Sequence, residues 1–225
     1  MGIYVIMIVF FVISFLVGQQ LRSKFAKYSR VSLAKGLSGK EVAELMLSNN
    51  GINDVRVISV EGQLTDHYNP TDKTVNLSPD VYNGRSVAAA AVAAHECGHA
   101  IQHAKSYAFL QMRSSLVPVV SIASRYVQWV LLAGVILLQT FPAILLIGVV
   151  MLALTTLFSF ITLPVEFDAS RRALAWLNST GLTYGESADN ARDALKWAAL
   201  TYVVAALGSL ATLLHYLGFL NGNDD

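Results

Sequence analysis

Ala91–His103 reads AVAAHECGHAIQH and sets His95, Glu96 and His99 in the pattern H-E-x-x-H. On a helix, positions i and i+4 lie nearly above one another, so both imidazoles leave one face. Two neutral imidazole nitrogens at that spacing suit a zinc ion. Glu96, one step round from His95, can reach a metal-bound water and take its proton. A helix is expected here. Ser86 is a candidate N-cap, and Val87–Ala94 is an Ala-rich, strongly helix-forming run. Cys97 lies between the two histidines and points off their face, so a packing role is favoured over a thiolate ligand.

The rest of the chain is unusually apolar. Of 225 residues, 54% are hydrophobic and 14% charged, and the mean hydropathy is +0.51. Such a composition points to an integral membrane protein and excludes an ordinary soluble domain. A net charge of +1 carries no nucleic-acid signature, and no nucleic-acid partner is expected. One cysteine cannot form an internal disulfide.

Residues 1–21 are expected to form an N-terminal transmembrane anchor, because Ile3–Leu21 is almost continuously apolar. No positive residue precedes it and no A-x-A site follows, so it does not read as a cleaved signal. Arg22, Lys24, Lys27, Arg30, Lys35 and Lys40 follow with no acid until Glu41. Such a cluster beside a span is expected on the cytoplasmic face. Residues 22–116 then read as a cytoplasmic portion. Ser38 and Glu41 make a capping box that opens a helix to about Ser48. Val55–Val60 reads as a strand, two short strands flank the turn Asn69–Asp72, and Ser78-Pro79 opens a short helix. The helix of the motif is expected to continue past His103 toward the bilayer.

Residues 117–163 are expected to form a transmembrane hairpin, either fully spanning or re-entrant from 126. Arg125 at mid-bilayer would cost about 2.5–3.5 kcal/mol, so it is placed at the cytoplasmic interface. Ala143–Leu163 recrosses, and Pro164 is expected to stop that helix. Residues 164–196 return to the cytoplasm. Residues 197–225 supply the last transmembrane helix and a short acidic outer tail. Two crossings therefore put 164–196 on the same face as the H-E-x-x-H helix.

A zinc site with an open position needs a third N or O ligand. In Leu163–Arg172, LPVEFDASRR, Glu166 is selected. Taken alone it is equally a first-turn acid favoured by the helix dipole. Asp168 is read as a surface partner of Arg171 and Arg172, at i+3 and i+4.

His95–His99, preceded by GQLTDHYNP (62–70) and followed by LPVEFDASRRA (163–173), resembles the bacterial membrane-bound neutral zinc metallopeptidases of the YugP-like family. These are distant relatives of the CAAX prenyl protease and heat-shock membrane protease superfamily. The resemblance covers almost the whole chain. It implies a gluzincin-type site with one Zn2+, held by His95, His99 and Glu166, with Glu96 as acid/base. In the wider superfamily an Asp four residues beyond the ligand Glu orients a histidine; here that place is Ser170. The resemblance also offers His67 or Tyr68 as cleft residues that stabilise an oxyanion, beside the reading of His67 as a surface histidine near a turn. His103 is read as exposed or supporting, and His215 with Tyr216 as an interfacial aromatic pair.

The expected fold is thus an α-helical multi-span membrane protein of about four spans with a small α+β zincin, gluzincin-like metallopeptidase domain. The expected activity is zinc-dependent endopeptidase action at the cytoplasmic face of a bacterial plasma membrane, on a polypeptide or membrane-protein substrate. The lipid bilayer is the other expected partner. Two other classes stand beside it: a catalytically silent zinc-binding membrane scaffold, and a small transporter or channel. The latter finds few polar residues in the spans beyond Arg125, Gln128 and His215.

Overall fold

The structure is a computed structural model that describes residues 2–220. The acidic tail, Asn221–Asp225, lies outside the described residues. The described residues are mostly helical, with one small sheet. Among them, four helices are long and apolar enough to cross a membrane: α1 (Ile3–Tyr28), α5 (Ala108–Ile136), α6 (Pro142–Ser179) and α7 (Glu186–Leu220). Between α1 and α5 lie α2 (Gly39–Asn49), β1 (Arg56–Ser59), β2 (His67–Asn69), β3 (Thr74–Leu77), α3 (Pro79–Tyr82) and α4 (Val87–Ala104).

The described residues fall into two compact units. One comprises residues up to Leu16, Gln111–Leu163 and residues from Thr201 on. Its core is Leu131, Leu145, Val149 and Leu152. Gly134 makes the α5–α6 crossing close: a Cβ there would stand 2.5 Å from Leu145 Cα. Thr156 and Ser209 join α6 to α7 through a 2.6 Å hydroxyl pair. Most outward side chains here are apolar, as lipid-facing helices require.

The other unit comprises Val17–Leu110 and Pro164–Leu200. Its centre is α4, whose Ala88, Ala90, Ala91, Ala93 and Ala94 have no exposed surface. Small side chains let neighbouring elements approach α4 on several sides, and most of the helix is buried. Ser86 caps it, accepting from the Ala89 amide at 3.2 Å. The Ser38–Glu41 capping box opens α2, which buries Val42, Ala43, Met46 and Leu47. The sheet has the order β1-β3-β2, with β1 parallel and β2 antiparallel to β3. All four residues of the central strand β3 are buried, whereas β2 is an edge.

Two expectations fail. The motif helix does not run on from His103. α4 ends at Ala104, and Ser106 adopts a left-handed φ of 51°. The Lys105, Ser106 and Tyr107 amides donate back to the carbonyls of Ile101, His103 and Gln102, a C-terminal cap made without glycine. Nor does Pro164 end α6, which passes through it to Ser179. The proline removes one helical hydrogen bond. Beyond it, Val165, Ala169, Ala173 and Leu177 form a fully buried i, i+4 row, and this packing outweighs the loss.

Candidate metal centre

α4 supplies His95, Glu96 and His99. Glu166 comes from α6, just past its apolar stretch, which ends at Leu163. Glycine is required where the two helices meet: a Cβ on Gly98 would lie 2.7 Å from the Ala169 carbonyl oxygen and 3.0 Å from its Cα. The backbone of α6 thus rests on α4 between the two histidines.

The three side chains converge. Glu166 Oε2 lies 3.3 Å from His95 Nε2 and 3.7 Å from His99 Nε2. One ligand atom from each of the three falls within 4.8 Å of the others. The imidazoles meet edge to face, with centroids 4.8 Å apart at 84°. Glu166 is 2% exposed, and Glu96 and His99 are 8% exposed. Burial opposes charge on Glu166, but the two imidazoles facing it outweigh burial and hold its carboxyl well below the usual carboxylate range. Burial would lower the basicity of His99, yet the neighbouring Glu166 carboxylate and the Glu96 charge raise it.

Each imidazole is also gripped from behind. His95 Nδ1 is 3.1 Å from Ser170 Oγ. His99 Nδ1 is 3.0 Å from Gln102 Oε1. Gln102 Nε2 donates to the Val165 carbonyl at 2.8 Å and to Asp168 Oδ2 at 2.9 Å. Asp168 accepts from Arg171 and Arg172 as expected, but it is 5% exposed rather than on the surface. Burial raises its pKa; hydrogen bonds from Gln102 and both arginines more than reverse that.

This geometry accompanies a sequence match along nearly the full chain. Residues 3–221 match the family described as "Putative neutral zinc metallopeptidase". The chain belongs to this family. The neutral zinc metallopeptidase match is supported by a relative in Bacillus subtilis (strain 168), named "Putative membrane protease YugP". That protein is 42% identical over 214 residues, covering 95% of this chain and 94% of the relative. No solved structure matches.

A neutral zinc metallopeptidase implies a zinc ion, and the donor set fits one. Two imidazole nitrogens and a carboxylate oxygen are ordinary zinc ligands. Tetrahedral bonds of about 2.0–2.1 Å put neighbouring ligand atoms about 3.3 Å apart. The two distances to Glu166 Oε2 are close to that value.

The other sequence candidates lie elsewhere. His67 is exposed, with Nδ1 2.8 Å from the Thr65 carbonyl. The Tyr68 hydroxyl is 2.7 Å from His103 Nδ1, so edge strand β2 is tied to the end of α4. Cys97 is fully buried, its Sγ 3.5 Å from the Ala43 carbonyl, in the seam with α2. His215 stacks edge-on against Tyr216 at 5.6 Å. A cleft of about 910 Å³, lined by Arg22, Phe25, Asp66, Ser78 and Arg85 among others, contains none of the three clustered side chains. Donor geometry, not cavity size, therefore marks the candidate centre. Gln102 and the close approach at Gly98 are not evident from sequence. Gln102 does stand at i+3 from His99, a contact distance on a helix.

Proposed function

We propose that the chain is a membrane-embedded zinc-dependent endopeptidase of the zincin, gluzincin-like type, hydrolysing peptide bonds close to the cytoplasmic face. The observation that carries this reading is the convergence of His95 Nε2, His99 Nε2 and Glu166 Oε2, with Glu96 beside His95 on the same helix. His95, His99 and Glu166 would hold one Zn2+. When bound, the ion supplies Lewis acidity, which makes a water easier to deprotonate and a scissile carbonyl more electrophilic. Glu96 receives the proton of the attacking water and delivers it to the leaving amine nitrogen. Ser170 and Gln102 hold the backs of the two imidazoles, so the rings keep their aim.

The cytoplasmic assignment rests on the basic cluster from Arg22 to Lys40 beside α1 and on the even number of crossings between α4 and Glu166. The substrate of this reading is a polypeptide or membrane protein; the peptidase family and the apolar helices support it. The test is cleavage of an unstructured polypeptide by the purified protein in detergent. Glu96→Gln is expected to retain zinc and lose cleavage. Equal cleavage by that variant removes Glu96 as the base, and a zinc-loaded wild type without cleavage leaves a silent scaffold. Cysteine labelling of the 22–116 and 164–196 segments from opposite sides tests the topology.

A further inference from the structure

The hydrogen bonds of Gln102 can be satisfied in only one way. Its side chain has no exposed surface. Its Nε2 sits between the Val165 carbonyl oxygen and Asp168 Oδ2, at 2.8 and 2.9 Å. Both are acceptors, and Asp168 is held as a carboxylate by Arg171 and Arg172. The two hydrogens of the amide nitrogen are therefore both used. Turning the amide over would set Oε1 against a carbonyl and a carboxylate with no proton between them, a costly arrangement without water. Gln102 Oε1 therefore faces His99 Nδ1 as an acceptor, at 3.0 Å.

That orientation decides the tautomer of His99. Nδ1 must carry hydrogen to meet Oε1, so in the neutral ring Nε2 bears the free lone pair. Nε2 is the atom turned toward Glu166. His95 is held differently. The Ser170 hydroxyl can donate or accept, so it steadies the ring without choosing its tautomer.

We propose that Gln102 is a positioning residue that fixes His99 as an Nε2 ligand, and that Asp168, clamped by Arg171 and Arg172, sets the direction of the Gln102 amide. The role extends the zinc reading of the cluster and depends on it. Packing alone would need only the volume of Gln102; this role needs an acceptor at its end.

The test is the Zn2+ dissociation constant of the full-length protein in detergent, measured by competition with a chromophoric chelator. Gln102→Leu keeps the volume and removes the acceptor; its affinity is expected to fall about tenfold or more. Gln102→Glu, protonated on the oxygen that replaces Nε2 and so still a donor toward Asp168, keeps an acceptor for His99 and is expected to stay within about threefold of wild type. Unfolding of the metal-free proteins is followed in parallel, with Gln102→Met as a second apolar variant should Gln102→Leu not fold. Unchanged affinity in the folded apolar variant overturns the role. So does a Gln102→Glu protein that folds but binds as weakly as the apolar variant. If Gln102→Glu does not fold, the apolar variant decides alone. A wild type that takes up no zinc overturns this inference and the zinc reading together. A zinc-binding wild type with an indifferent Gln102 overturns this inference only.

Discussion

Gly98 lies so close to Ala169 that an added Cβ would stand 2.7 Å from a carbonyl oxygen which, as backbone, cannot swing aside. The contact falls between His95 and His99 and sets the separation of α4 from the segment that carries Glu166. In an ordinary helix interior, Gly→Ala would stabilise by about 1 kcal/mol. Here the overlap opposes that gain, and overpacking costs about 1–3 kcal/mol. Gly98→Ala is expected to be destabilising overall and to weaken zinc binding, because Glu166 is pushed away from both imidazoles. Thermal unfolding together with bound-zinc stoichiometry checks this. A more stable variant with full zinc would show that the two backbones do not meet as described.

Glu166 is the bridge between the two histidines, 3.3 Å from one Nε2 and 3.7 Å from the other. Glu166→Ala removes the only carboxylate of the triad, and two imidazoles on one helix remain. Zinc content after dialysis is expected to drop below one tenth of the wild-type value. Retention of the wild-type content would strike Glu166 from the ligand set. Glu166→Gln keeps the shape but offers a neutral oxygen, and is expected to fall between the two.

How far the sequence revealed this centre depended on the range of each contact. His95, Glu96 and His99 are a local pattern, and helix periodicity alone places them on neighbouring positions. Glu166 needed a long-range argument, from the number of membrane crossings and the demand for a third ligand. Gln102 is not legible in the sequence because its value appears only when Val165 and Asp168 of α6 lie against it. Local spacing makes Asp168 a surface partner of two arginines for the same reason. The arginines are neighbours in sequence, whereas the helix that covers Asp168 is not. Pro164 and Ser106 show the limit of local signals on the backbone. A buried row on α6 carries the helix through a proline, and three returning amides end α4 at a serine.

Ser170 stands four residues beyond Glu166 on the same helix, and its hydroxyl is 3.1 Å from His95 Nδ1. Losing a partner behind a metal-bound histidine usually weakens metal binding about 10–100-fold. Ser170→Ala is expected at the lower end of that range, because a hydroxyl is a weaker anchor than a carboxylate. Ser170→Asp supplies a charged acceptor at the same place and is expected to bind zinc at least as tightly as wild type. Chelator competition measures both, and identical constants for Ser170→Ala and wild type would show that the hydroxyl does not orient the ring.

Metal removal separates the site from the scaffold. The core around α4 joins α2, the sheet, α3 and parts of α6 and α7 through side chains such as Met46, Leu77, Val81, Leu177 and Leu195, none of which is a ligand. The fold should therefore outlast its ion, unlike a zinc finger, whose small core cannot stand without one. Treatment with a strong chelator is expected to abolish peptide cleavage while far-ultraviolet circular dichroism stays unchanged. A ligand that binds only the folded state stabilises it by about 2.7 kcal/mol at a hundred times its dissociation constant. Adding Zn2+ back should thus raise the melting temperature by a few degrees and restore cleavage in wild type. In Glu166→Ala it should do neither. Loss of helical signal on chelation would mean that the ion is part of the scaffold, and a wild-type melting temperature indifferent to zinc would mean that the folded protein does not bind it.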